Sequence, residues 1–313
     1  MSDRTVEHYV APIDPADAIE VDRVNLGDRK SSLWIDAWRD LRRRPLFYIA
    51  VVIVLVVTTA ALFPSLFTDL DPRKGDLAFS NAGPSDGHPL GFTRQGYDVY
   101  ARIIFGASTS LSVGVFVVLI TAAIGIPMGA LAAYYGRWVD SLLSRIGDIF
   151  FAIPYFLAAV VVMSVLSAHR NVFVIALAIG GFAWASLARI LRAEVLQVKN
   201  LEYVMASEAV GRSKFSTLVR HVLPNSLTPV IVYLTIALGA AITAEATLSF
   251  LGIGLPPSVM SWGNDIAQAQ TTLRTAPMAL FWPSLALTVT VLAFIILGEL
   301  IRDALDPKAR ASR

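Results

Sequence analysis

The chain has 313 residues, of which 55% are hydrophobic and 16% charged, with a formal net charge of +2. A soluble protein of this length carries roughly a quarter charged residues, so low charge combined with long uncharged runs excludes a soluble protein and points to a polytopic membrane protein. No segment outside the apolar runs could build a core of its own, and with no cysteine there is no disulfide, thiolate metal site or cysteine nucleophile.

Met1–Lys30 mixes acidic and basic residues, holds Pro12 and Pro15, and has no apolar periodicity; it reads as a mobile cytoplasmic tail. Ser31 or Ser32 is placed to cap a helix running to Arg44. Leu33, Trp34, Ala37, Trp38 and Leu41 fall on one face of it, with Arg39, Arg42, Arg43 and Arg44 on the other side or the end. An aromatic, apolar face with a basic end fits a helix lying among lipid headgroups. Pro45 breaks that helix as the chain turns into the bilayer. The first apolar run thus begins far from the amino terminus, unlike a secretory signal peptide.

Six runs are long enough to cross about 30 Å of hydrocarbon at about 1.5 Å per residue. They are Leu46–Phe63, Thr109–Tyr135, Ile149–Leu166, Val172–Leu191, Leu227–Leu248 and Phe281–Leu300. The second is overlong and contains Gly114, Gly125, Pro127 and Gly129, so it is expected to tilt or kink. Small residues at Gly125 and Gly129, at Gly180-Gly181 and through Leu238–Ala246 allow close helix approach. With the amino terminus inside, the inner segments hold 19 of the 26 Lys and Arg and the outer segments hold six. The positive-inside rule therefore puts both termini in the cytoplasm.

Two outer segments are long. Pro64–Ser108 is rich in turns, and His88 before Pro89 reads as a turn residue. Thr247–Pro283 opens with an apolar stretch and has the character of a segment that folds back into the membrane surface, with Trp262 and Trp282 suited to an interfacial depth. Glu245 lies about one turn from the outer end of its span. It is read first as a solvated or partner-bonded residue at a helix end and second as a contact in the outer part of a transport pathway.

The segment Glu202–Pro224 is the longest polar stretch between two very apolar runs in the second half, and the charge rule places it in the cytoplasm. It reads as a short helix, a break at Gly211, and a second helical stretch stopped by Pro224. Tyr203, Val204, Ala206 and Val210 give a mildly apolar face, with Glu202, Ser207 and Glu208 polar. Such a helix either lies on the lipid surface or presents itself to a soluble partner.

The chemistry of a stand-alone machine is missing. The histidines at 8, 88, 169 and 221 have no metal-site spacing, and His221 is expected to make a local bond at the end of its loop. There is no Gly-x-x-x-x-Gly-Lys-Ser/Thr phosphate loop, so the chain does not hydrolyse ATP by that route. Ion-driven transporters keep ionisable groups near the midplane, and no span here has one near its middle.

Gly211, nine residues, then His221-Val222-Leu223-Pro224 resembles the signature loop of ATP-binding-cassette importer permeases. Where that family reads Glu-Ala-Ala, this chain has Met205-Ala206-Ser207, and Glu208 falls three residues later. Three further stretches are similar to the second (C-type) permease of dipeptide and oligopeptide importers: His88-Pro89-Leu90-Gly91 with Gly106-Ala107-Ser108, Glu245 through Gly254 with Ser261-Trp262-Gly263, and Leu297 through Pro307.

The resemblance implies an all-α integral membrane fold, the six-helix type I importer permease bundle of a multi-pass protein of the bacterial cytoplasmic membrane. Residues 1–45 would be a tail with an interfacial helix and 46–107 the first span with an extracytoplasmic loop. Residues 108–301 would be the core permease domain containing the coupling loop 202–224, and 302–313 a second tail. The implied partners are a B-type permease subunit, two ATPase subunits, an extracytoplasmic substrate-binding protein and the lipid bilayer, with no nucleic acid. The chain itself would be non-catalytic and bind no cofactor, ATP and Mg being held by the partner subunits. Docking would fall to Tyr203, Val204, Met205, Ala206, Ser207, Glu208 and Gly211, then Arg212 and Phe215, with Glu245 as the outer pathway candidate. The alternatives are a stand-alone secondary transporter or channel, and a signalling or scaffolding membrane protein.

Overall fold

The computed structural model describes residues 33–305; residues 1–32 of the expected first tail, with the Ser31 or Ser32 cap, and 306–313 of the second lie outside them, while 302–305 continue the last helix. Helix α1, Leu33–Leu41, is followed by α2, Pro45–Leu62, with Pro45 in the first turn, where a helix leaves its amides unpaired anyway. Residues 63–98 then run without a long helix. They are tied down by His88, whose Nδ1 lies 2.8 Å from Asp98 Oδ2, so His88 does more than shape a turn.

Asp98 also caps α3, Val99–Tyr135, accepting from the Ala101 amide at 2.6 Å. This helix starts ten residues before the apolar run that announces it, because Arg102, which reads as a loop residue, is buried. It continues unbroken through Pro127. On the face toward α6, Val172–Val198, a Cβ on Gly125 would stand 2.9 Å from Trp184 O, and Gly129 is tighter still against Ala188. The glycines let two long helices approach backbone to backbone.

The expected third span, Ile149–Leu166, is two helices instead: α4, Arg137–Ala152, and α5, Tyr155–Val165, bent by 77°. Pro154 causes the break by forcing Ile153 into an extended conformation and offering no amide to continue α4. Among the described residues five helices are long and apolar enough to span a membrane, and six spans result if the bent pair forms one.

After α6 come α7, Glu202–Ala209, and α8, Lys214–Thr217, which passes through a π turn, Leu218–Val222, into α9, Leu223–Asn225. Pro224 therefore does not stop this stretch. The Leu223 amide reaches back five residues to Leu218 O while the Ser226 amide bonds four back to Val222 O, and this change of register brackets the proline. Helix α10 spans Thr228–Phe250, α11 Trp262–Ala269 and α12 Met278–Leu305. Among the described residues, extended pairing is confined to two isolated bridges, so the fold is all-α.

Helices α3 and α6 form the axis of the bundle, with α10 and α12 packed alongside. One apolar cluster joins α3, α5, α6 and α10 through Val113, Met163, Ile175, Ile179 and Leu248. A second, toward the other end of the same helices, gathers Ala133, Leu187, Leu191 and Val195 with Val204, Leu218 and Val222 from the connecting segment.

Candidate functional site: a projecting helix and a buried carboxylate

Two polar regions sit at opposite ends of α10. At its start, the segment 202–226 folds against the end of the bundle. Val204, only 1% exposed, Leu218 and Val222 drop into the cluster made by α3, α6 and Val230 of α10. With three apolar anchors buried, the rest of the segment is held outward.

Tyr203, Met205 and Ala206 are exposed on α7, as are Val210 and Phe215 beyond it. Val210, at 89%, is almost fully uncovered. The apolar face expected from periodicity is therefore divided: Val204 points into the bundle as an anchor, while its neighbours face out. Burial by neighbouring atoms pushes the Tyr203 phenol up from its ordinary value, so the ring presents a neutral hydroxyl.

Polar contacts fix the shape of this surface. Half-buried Ser207 pairs its Oγ with Thr217 Oγ1 at 3.2 Å, tying α7 to α8. Tyr134 Oη donates to Glu208 Oε1 at 2.6 Å, and Lys199 Nζ donates to Ala133 O at 2.6 Å, so α3 is bound to both α7 and the end of α6. Gly211 turns the chain between α7 and α8 with φ +86°, a conformation costly for residues with a Cβ. Exposed Arg212 pairs with His221 Nε2 at 2.8 Å, the local bond expected of that histidine. The nine predicted residues thus come together in one unit, and Val210, already placed on the expected apolar face, is its most exposed apolar member.

Toward the other end of α10, Glu245 is fully buried and bonded to its neighbours, so of the two forms of its first reading the partner-bonded one holds and the solvated one does not. Ser249 Oγ donates to its Oε1 at 2.9 Å and Ser261 Oγ does so at 3.0 Å. Ser261 in turn caps α11 by accepting from the Asn264 amide at 3.1 Å. Helix α11 thereby folds back over α10 and covers the carboxylate.

Trp262 is also buried. Its amide donates to Ser110 Oγ at 3.1 Å and its indole Nε1 to Ile103 O at 2.9 Å. Beside it Arg102 of α3 forms a buried ion pair with Asp265 of α11, with Nε 2.7 Å from Oδ1. The pair Ser261-Trp262 is visible in sequence, but its partners Ser110 and Ile103 lie more than 150 residues away.

Between these regions, α3, α6 and α10, with the end of α4 and the turn into α5, line an open cavity of about 340 Å³. Its wall is apolar and aromatic with a few hydroxyls, including Phe182, Ser186 and Tyr233. Among the described residues no cluster of His, Asp and Glu is arranged to hold a metal. The arrangement suits mechanical linkage between an exposed surface and a packed bundle.

Comparison with known proteins agrees with that reading. Residues 125–311 match the model of the binding-protein-dependent transport system inner membrane component, and residues 32–84 match the N-terminal TM domain of oligopeptide transport permease C. The chain is 36% identical over 279 residues to the glutathione transport system permease protein GsiD of Pectobacterium atrosepticum, covering 89% of this chain and 92% of that protein. It is 33% identical over 297 residues to the oligopeptide transport system permease protein OppC of Bacillus subtilis, covering 95% and 97%. In fold it is similar to a chain of the MetNI methionine ABC transporter in an inward-facing form, with a TM-score of 0.54 and 18% identity over 66% of this chain and 96% of that one. A bundle of five to six apolar spans with a projecting polar helix, matched along most of its length by such permeases, belongs to the family of binding-protein-dependent transport system inner membrane components.

Proposed function

We propose that this chain is the C-type permease subunit of an ATP-driven importer of dipeptides or oligopeptides in the bacterial cytoplasmic membrane. Its partners are a B-type permease, two ATPase subunits carrying ATP and Mg, and an extracytoplasmic substrate-binding protein. The chain contributes no catalysis of its own. The names of its relatives, glutathione and oligopeptide permeases, support a peptide as the transported class.

The observation that carries the proposal is the construction of α7. Its exposed residues Tyr203, Met205, Ala206 and Phe215 of the following helix offer a docking face, while Val204 and the Tyr134–Glu208 bond root that face in α3 and α6. A soluble subunit that displaces α7 would therefore move the bundle, because packed cores shift between discrete arrangements rather than deforming continuously. The charge distribution supports placing this end in the cytoplasm, where ATP is available. Closing of the ATPases would draw the docking helices of the two permeases together and open the pair outward; hydrolysis would reset it. Glu245, under α11, would act on the outer side of the pathway by holding α11 in place.

The test is uptake of a labelled peptide by vesicles containing the full assembly. The expected result is uptake that requires ATP and every partner. Transport by this chain alone, driven by an ion gradient, would overturn the proposal in favour of a stand-alone secondary transporter.

A further inference from the structure

Helix α1 has apolar side chains on two sides, and among the described residues one of these sides is covered. Ala37 and Leu41 are buried with Phe47 of α2 against Leu300, Ala304 and Leu305 of α12. On the opposite face Ile35 and Trp38 stand 48% and 57% exposed, and Arg42, one turn beyond Trp38, continues the same stripe. Trp38 meets the edge of Phe47 at 5.9 Å, and Tyr48, also exposed, donates its hydroxyl to Arg42 O at 3.0 Å. The corner between α1 and α2 thus carries an aromatic group next to three consecutive arginines.

Those arginines are not equivalent. Arg44 is committed, bonding Asp40 at 2.7 Å and Asp303 of α12 at 2.9 Å, which locks the corner to the end of the last helix. Arg42 and Arg43 are exposed and form no ion pair among the described residues. Immediately after them Pro45 opens the first membrane span, whose Leu46 and Ile49 are exposed to the surroundings. Two uncompensated guanidiniums therefore lie where a spanning helix leaves the hydrocarbon, flanked by Trp38 and Tyr48 at the depth aromatic residues favour.

We infer that the α1–α2 corner is a binding site for anionic lipid headgroups, with Arg42 and Arg43 holding the phosphates and Ile35 and Trp38 seated in the interface. The occupant follows from charge and position together. A guanidinium pairs with phosphate in a bidentate fork, and the apolar stripe beside it needs a partly apolar cover, which a headgroup with its attached chains provides and a free anion does not. Because Arg44 ties this corner to Asp303, lipid held here also fixes the end of α12 relative to α2.

The absence of cysteine in the chain makes the test direct. Ile35→Cys is labelled with a fluorophore in the full-length chain and placed in nanodiscs of phosphatidylcholine. Quenching is compared for nitroxide-labelled phosphatidylglycerol and nitroxide-labelled phosphatidylcholine. The expected result is preferential quenching by phosphatidylglycerol, reduced about fivefold for each arginine removed in Arg42→Gln and Arg43→Gln, and retained in the doubly substituted Arg42→Lys/Arg43→Lys variant. High salt should lower the preference of the unaltered arginines toward that of the glutamine variants. Equal quenching by both lipids, a preference unchanged in the glutamine variants, or a label that no lipid reaches because protein covers it would each overturn the inference.

Discussion

Tyr134, in the last turn of α3, donates its hydroxyl to Glu208 Oε1 of α7 at 2.6 Å, a bond between residues 74 positions apart. It is a direct polar link from the projecting helix to the longest helix of the bundle. Tyr134→Phe removes that link and little else. The expected cost is about 1 kcal/mol in local stability, seen as faster amide exchange confined to residues 202–209, with membrane insertion unchanged and peptide uptake per ATP reduced. Unchanged exchange in α7 would show that Val204 and its neighbours suffice to hold it.

Gly211 provides a second handle on the same unit. At φ +86° a residue with a Cβ costs about 1–2 kcal/mol, yet nothing stands within 4 Å of where a Cβ would be. The penalty is therefore one of backbone conformation, without a clash. Gly211→Asn should be the mildest change because asparagine tolerates the left-handed region, and Gly211→Val the worst. Gly211→Asp should preserve insertion while separating ATP hydrolysis from uptake. Uptake assays across the series check the order, and equal activity in all variants would remove this turn from the coupling path.

The order of spans, the projecting segment and its break at Gly211 are legible in the sequence because each rests on local signals: apolar length, a polar interval and a glycine. What the sequence hides is long-range pairing. Arg102 reads as a loop charge until α11 brings Asp265 to it, and Glu245 reads as exposed until Ser261 closes over it. The bend between α4 and α5 was carried by Pro154, but hydropathy averages across such a residue and returns one span. Val204 and Val210 look alike by periodicity, and only packing separates the buried anchor from the exposed residue.

The Arg102–Asp265 pair predicts a non-additive mutant set. Asp265→Asn or Arg102→Met alone leaves a buried charge without its counterpart and should cost about 3–5 kcal/mol. The double substitution Arg102→Met/Asp265→Leu removes both charges and should be less damaging than either single change. Thermal unfolding of the purified chain in detergent checks this, and additive losses would mean that the two residues act separately.

Glu245 should respond to shape and hydrogen bonding. Glu245→Gln keeps an acceptor for the Ser249 and Ser261 hydroxyls, so the protein should remain folded with α11 in place. Glu245→Ala removes that acceptor and leaves a void, at a cost of about 2–4 kcal/mol. The same unfolding measurement, with protease sensitivity of residues 251–277, distinguishes them. Equal stability of the two variants would contradict a positioning role.

The central claim is that α7 is where an ATPase subunit meets this permease. Met205 is exposed on that helix, and the chain has no cysteine of its own. Met205→Cys, in membranes containing the full assembly, can be joined by a short thiol-reactive crosslinker to whatever lies against it. The predicted product is an adduct with the ATPase subunit whose yield changes when ATP binds. An adduct with the substrate-binding protein, or no protein adduct while the thiol is labelled from outside the cell, would contradict the account.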